Sequence, residues 1–179
     1  RCADVTGVQT CALPIFWYSV RMNPFAEKAL AMVEKRGVTL SYIVDCVYYL
    51  QTPYHQNLQH KDLEESVLKV LDKREVWHAL LTAIELDVLA EQDRFSNKEL
   101  EKIVQMDEGL YGIDEVLAYG ICNLYGSIAM TNFGFIDKTK YGIVGKLNED
   151  GKKPGICHTF LDDMVGAIAA AAASRFAHR

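Results

Sequence analysis

Five carboxylates and three basic residues carry the chemistry this sequence offers. Asp162 and Asp163 stand side by side in HTFLDDMVGAIAAAAASR, ahead of a run of alanine and aliphatic residues with no further charge until Arg175. Asp114 and Glu115 form a second adjacent pair, in DEGLYGIDEVLAYG, and are the only charged residues from Gly109 to Ile136. Asp137 opens the polar stretch DKTKYGIVGKLNEDGKK, which also holds Lys138 and Lys140, and His158 lies just before the DD pair. Ionised carboxylates in apolar surroundings cost several kcal/mol each unless they are paired, hydrogen-bonded or bound to a cation. Adjacent residues on a helix point about 100° apart, so one of a pair can enter a site while its neighbour supports it from the rim.

Two such pairs facing each other, with Asp137, would form an oxygen-rich cluster suited to Mg²⁺ or Mn²⁺. No Cys/His spacing supports zinc. Three uses therefore stand open: a metal cluster, capping and salt bridging at helix N-termini with Asp137 at the surface, or a different catalytic role. Lys138, Lys140 and His158 could face an anionic substrate sharing the metal, as in phosphoryl transfer or phosphate-ester hydrolysis, or the lysines could be solvated surface charges. His158 fits either a hydrogen bonder in a cap region or a general acid. Asp107 and Glu108 lie seven residues before the second pair, but Gly109 and Gly112 argue against one helix through both, so they read first as loop or cap, with joining the site as the lesser alternative. No Walker-type loop, GxSxG or HExxH occurs, and His55, His60 and His78 lack partner spacing and read as structural.

The elements that must position these residues are helical. Pro24 suits a first helical turn, and AEKALAMVEKR places Ala29, Met32 and Val33 at helical spacing before the stop at Gly37. Thr39 can cap LSYIVDCVYYLQ, which ends before Thr52 and Pro53. KDLEESVLKVLDK is amphipathic through Leu63, Val67, Val70 and Leu71, and REVWHALLTAIELDVLAEQ is apolar enough to be expected largely buried. SNKELEKIVQM suggests a capping box from Ser96 to Glu99. Val116 to Ile136 approaches membrane-spanning length without charge, yet holds Asn123, Ser127, Thr131, Asn132 and three glycines, so it reads as a buried, broken helix. With no sustained strand alternation, the expectation is an all-α bundle of about six to eight helices. Its centre should be the terminal helix, because small side chains from Ala167 to Ala173 let neighbours approach closely and leave little polar surface for water.

The whole chain has 179 residues, 50% hydrophobic and 24% charged, with a formal net charge of −5. That fits one globular domain with a substantial core, and no basic surplus points to nucleic acid. The segment VTGVQTCALPI, Val5 to Ile15, matches a codon-by-codon translation of a widely used short-read sequencing adapter. Residues 1–21 are therefore expected to be adapter and leader translation, with the natural start at Met22 and a single domain over 22–179. ALPIFWY is short and lacks a basic flank, so it is not read as a secretion signal. Cys46, Cys122 and Cys157 remain, an odd, scattered set that reads as reduced, buried thiols of a cytoplasmic protein.

KREV, DEGLYGIDE, GSIAMTNFGFIDK and HTFLDDMVGAIAAAAASR together resemble the phosphatidylglycerophosphatase A family, and more closely its soluble, low-temperature-requirement C-like or YutG-like branch, over essentially Met22 to the end. The resemblance implies a Mg²⁺-dependent phosphatase that converts phosphatidylglycerophosphate to phosphatidylglycerol. It assigns the family's DE pair to Asp114 and Glu115, its aspartate and the lysine three residues on to Asp137 and Lys140, and its DD pair to Asp162 and Asp163. It also implies one central helix surrounded by five others. Membrane members carry an arginine where this chain has Gly134 and a proline where it has Tyr141, while Lys138 and His158 belong to this branch's own pattern. The expected function is a phosphatase acting on an anionic phosphate ester, a phospholipid first of all, in the cytoplasm or peripherally at the inner face of the membrane. Asp163, His158 and Lys140 are the catalytic candidates, and Lys138, Lys140 and His158 the phosphate binders. A homodimer is also expected. The rival is a non-enzymatic helical binding or regulatory protein linked to low-temperature adaptation.

Overall fold

The structure, a computed structural model, describes residues 24–178, so the expectation for residues 1–21 falls outside it. Nine helices occur among the described residues: α1 Pro24–Lys35, α2 Leu40–Gln51, α3 His60–Leu71, α4 Arg74–Glu91, α5 Lys98–Gln105, α6 Ile113–Asn123, α7 Ser127–Thr139, α8 Ile143–Asp150 and α9 Leu161–Ala177. No strand is among them. Pro24 takes the first position of α1, and Gly37 turns the chain after it with φ +84°. The apolar stretch from Val116 breaks as expected, at Gly126, whose φ of +81° and ψ of −167° only glycine adopts readily.

The count exceeds six to eight because the polar stretch after Asp137 forms a helix of its own. Ile143, Val144 and Leu147 make a short apolar face that anchors α8, and the charged residues around them had hidden it. Two smaller expectations also change. The cap of α5 is Asn97, whose side chain accepts the Glu99 and Leu100 N–H groups, rather than Ser96. Helix α4 buries one face, Val76, Leu80, Ala83, Ile84, Asp87 and Ala90, while Leu81 is exposed.

Helix α9 is the axis of the fold. Every residue from Leu161 to Ser174 is buried, and the helix packs against α2, α3, α6 and α7, with α4 and α8 completing the enclosure. Alanine at positions 169 to 173, all at 0% exposure, permits that crowding because a larger side chain would hold the neighbours apart. Ser66 donates to the Ala172 carbonyl (2.9 Å) and Ser174 to the Tyr125 carbonyl (2.9 Å), tying α9 to α3 and to the turn after α6. Cys46, Cys122 and Cys157 are free and buried, as expected. His55, His60 and His78 pack against Phe176, Tyr48 and Trp77.

A helix buried from its first turn cannot satisfy its leading N–H groups with water, so the protein must supply acceptors. Asp87 of α4, fully buried, does so: its Oδ1 accepts the Phe160 N–H (3.1 Å) and its Oδ2 the Leu161 N–H (3.0 Å). One turn along α4, Glu91 accepts the Cys157 N–H (2.9 Å) and pairs with Arg36, which also donates to the Cys157 carbonyl (2.7 Å). Thr159 donates to the Val104 carbonyl (2.6 Å) at the end of α5. Residues 157–161 are thus held from three elements, and that grip sets where Asp162 and Asp163 begin. Asp87→Ala strands two buried N–H groups and should lower the unfolding free energy by about 3 kcal/mol. Denaturant titration measures this, and a loss below about 1 kcal/mol would show that the two bonds do not carry the start of α9.

Candidate metal centre

The N-terminal turns of α6 and α9 converge. Gly112, with φ +61°, turns the chain into α6 so that Asp114 and Glu115 fall in its first turn, and Asp162 and Asp163 occupy the first turn of α9. Carboxylates are favoured there by the partial positive charge of each helix end. Neither pair occupies an N-cap position, which belong to Gly112 and Phe160. Asp107, with φ +49° after α5, reverses the chain so that residues 107–115 lie over the start of α9. The result is a cleft of about 330 Å³ lined by Asp107, Glu108, Asp114, Glu115, Asp137, Lys138, Lys140, Thr159, Asp162 and Asp163, with Gly109 and Gly112.

Within the cleft the carboxylates divide into two groups. Asp114, Glu115 and Asp163 each offer an oxygen within 4.8 Å of the others, so the two sequence pairs meet through Asp163. Asp137 and Asp162 instead share the ammonium of Lys140, whose Nζ lies 2.7 Å from Asp137 Oδ1 and 3.0 Å from Asp162 Oδ2. Salt bridging, one of the alternatives open in the sequence, therefore describes Asp162 and Asp137, and the other three are left without such a partner.

The electrostatics follow from that division. Burial, then the hydrogen bond and charge of Glu115, raise the Asp114 carboxyl well above its ordinary range. Burial, then the charges of Asp162 and Asp137, raise Asp163. Asp162 is also raised by burial, against the pull of Lys140. Burial alone would lower Lys140, but the charges of Asp162 and Asp137 and its bonds to both outweigh this and hold it above the usual lysine range. Asp107 is raised chiefly by burial.

The donor set fits a hard divalent cation. Asp114 Oδ1 and Glu115 Oε2 are buried without a hydrogen-bond partner, an arrangement costly for a carboxylate unless a cation or proton arrives. Oxygens bound to one octahedral Mg²⁺ lie roughly 3 to 4 Å apart, and three oxygens that are all within 4.8 Å of one another are near enough to share such an ion. All three donors are carboxylate oxygens, which suit a hard cation better than a soft one.

The remaining candidates separate. Lys138 lines the cleft at its exposed edge. His158 does not line it: its Nδ1 lies 3.1 Å from the Leu147 carbonyl of α8, and burial lowers its pKa. Of the two uses open for His158, the geometry matches hydrogen bonding. Asp107 and Glu108 join the cleft through the left-handed turn at Asp107, which residue spacing alone did not reveal. A second cleft of about 430 Å³, lined by Tyr42, Asp45, Tyr48, His60, Tyr141 and Lys146 among others, holds one carboxylate and no such cluster.

The sequence model of the family described as Phosphatidylglycerophosphatase A matches residues 11–178, so the chain belongs to that family. It is 55% identical over 152 residues to the uncharacterized protein YutG of Bacillus subtilis, covering 85% of this chain and 90% of that protein. Among solved structures it is similar to a protein of unknown function from Bacillus stearothermophilus, with TM-score 0.83, 53% identity, and 89% and 97% of the two chains covered. It is similar also to the low temperature requirement C protein from Listeria monocytogenes, with TM-score 0.83, 49% identity, and 88% and 98% covered. These neighbours share the all-helical fold.

Asp87, like the cleft carboxyls Asp114 and Asp163, binds its proton more tightly folded than unfolded: burial, opposed by its two N–H bonds, pushes it up to about 8. The stabilisation from such a group is full below the ordinary aspartate value and is lost as pH rises through the folded value. Without divalent cations the melting temperature should therefore fall between about pH 7 and 9, by roughly 2–4 °C per kcal/mol lost. Mg²⁺ or Mn²⁺ should raise it more at pH 9 than at pH 7, because ligand carboxyls must shed protons to bind metal. Thermal melts across that range test both signs, and a cation effect that shrinks with rising pH would contradict the assignment.

Proposed function

We propose that this member of the phosphatidylglycerophosphatase A family is a divalent-cation-dependent phosphatase that hydrolyses phosphatidylglycerophosphate to phosphatidylglycerol and inorganic phosphate. The observation that carries the reading is the triad of buried Asp114, half-buried Glu115 and buried Asp163, with unpartnered buried oxygens on the first two, beside the Lys140 ammonium in one cleft. Asp114, Glu115 and Asp163 would hold Mg²⁺ or Mn²⁺, with Asp162 and Asp137 in the surrounding carboxylate set. Such an ion supplies Lewis-acid polarisation of a phosphoryl oxygen and a more acidic water.

The chain's own residues supply the rest. Lys140, one-third exposed, and Lys138 at the edge offer positive charge to the phosphate oxygens. In the net reaction a water oxygen bonds to phosphorus, the bond from phosphorus to the glycerol oxygen breaks, and that oxygen takes up a proton. Asp107, exposed at the mouth of the cleft and with its proton held more tightly than usual, would exchange such a proton. Of the segment before α9, Thr159 lines the cleft, and its neighbours Cys157, His158, Phe160 and Leu161 are buried away from water.

A lipid substrate also needs apolar surface near the phosphate site. Met106, Leu110, Ile113 and Val116, interleaved in sequence with the cleft residues, are exposed, Leu110 at 92%. No helix among the described residues is long and apolar enough to cross a membrane. A cytoplasmic protein that touches the inner face of the membrane peripherally through this rim is consistent with both observations.

The test is phosphate release from phosphatidylglycerophosphate in mixed micelles and from glycerol 3-phosphate, with and without Mg²⁺. Asp163→Asn should lower the Mg²⁺-dependent rate on the lipid at least about 100-fold. Wild-type and Asp163→Asn chains that bind Mg²⁺ differently yet release no phosphate from either substrate would favour the non-enzymatic binding protein instead.

A further inference from the structure

The division of the carboxylates speaks to how many metal ions the cleft takes. Asp114 is 8% exposed and its Oδ1, in the cleft wall, has no hydrogen-bond partner, so the triad has a built demand for a cation. Asp137 and Asp162 have no such demand, because Lys140 Nζ already lies between them. Two of the three ammonium donors are engaged there, and the side chain keeps about a third of its surface exposed, so one donor remains for a ligand.

Lys140 is also held by its backbone. It closes α7 in the left-handed conformation, φ +45°, with its N–H donated to the Ile136 carbonyl (2.8 Å). Gly145 of α8 packs so closely on the Lys140 carbonyl that a β-carbon at residue 145 would overlap it. A second ion between Asp137 and Asp162 would have to expel an ammonium whose main chain is fixed from both sides.

We propose that the centre is mononuclear, with one divalent cation per chain held by Asp114, Glu115 and Asp163, and that Lys140 stands in the place a second metal takes in two-metal phosphatases. A phosphate group would then be gripped between the ion and the ammonium. This rests on the divalent-cation reading of the cleft and adds to it the stoichiometry and the role of Asp137 and Asp162, which is to hold Lys140.

Mn²⁺ titration of the full chain, followed by calorimetry and electron paramagnetic resonance, tests it. The wild type should bind one Mn²⁺ per chain with the spectrum of an isolated ion. Lys140→Met, which removes the charge but keeps most of the side-chain length, should bind two, with spin coupling between them. Lys140→Arg, which keeps the charge, should stay at one. Two coupled ions in the wild type would overturn the mononuclear centre while leaving a metal site in place. One ion in a folded Lys140→Met chain would overturn the substitution of ammonium for metal. No bound Mn²⁺ in any of the three would remove the metal reading itself.

Discussion

The structure depends on burying the first turn of α9. An alanine helix enclosed on all sides contributes close packing along its length, but its N-terminus then opens into the interior, where N–H groups lack water and carboxylates lack screening. The N–H groups of Phe160 and Leu161 are answered by one fully buried carboxylate, Asp87. The carboxylates of Asp162 and Asp163 are answered unequally: the first is paired with Lys140, while the second makes no ion pair and lies beside the carboxylates of Asp114 and Glu115. That inequality is what would draw a cation into the cleft. A site that was electrostatically satisfied would bind nothing.

Position and charge are supplied by different parts of the fold. Helix α4, through Asp87 and Glu91, fixes where α9 starts. Left-handed turns at Asp107 and Gly112 fold the segment before α6 over that start and bring Asp114 and Glu115 to Asp163. The end of α7 brings a cation to Asp162, and α8 packs on the same turn through Gly145. The cleft is therefore assembled at the ends of helices rather than along their faces, where backbone direction can change and hard oxygen donors can converge.

Much of this was legible in the sequence, for physical reasons. The alanine run announced a crowded central helix because nothing else explains so little side-chain volume over so many turns. The two acidic pairs stood out because long uncharged stretches flank them, and the family resemblance joined them to Asp137 and Lys140. Asp87 did not stand out. It shares α4 with Glu75, Glu85 and Glu91, and one buried acid among acids on an amphipathic helix has no sequence signature. His158 sits in the same motif as the DD pair, yet loop side chains follow no periodicity, and this one turns toward α8. Asp107 is a loop residue, the reading its glycine neighbours favour, and it also lines the cleft, the lesser alternative, beside a left-handed turn that spacing does not reveal. Helix α8 was missed because Ile143, Val144 and Leu147 are too few to outweigh the charges around them.

The central claim is that Asp114, Glu115 and Asp163 form a cation site whose empty demand the fold creates. Anomalous diffraction from crystals grown with Mn²⁺ tests it most directly. The account predicts a manganese peak in contact with carboxylate oxygens of all three residues, with Lys140 still paired to Asp137 and Asp162. A crystal in which Mn²⁺ binds elsewhere, or in which the three carboxylates remain metal-free at millimolar Mn²⁺ and alkaline pH, would contradict it.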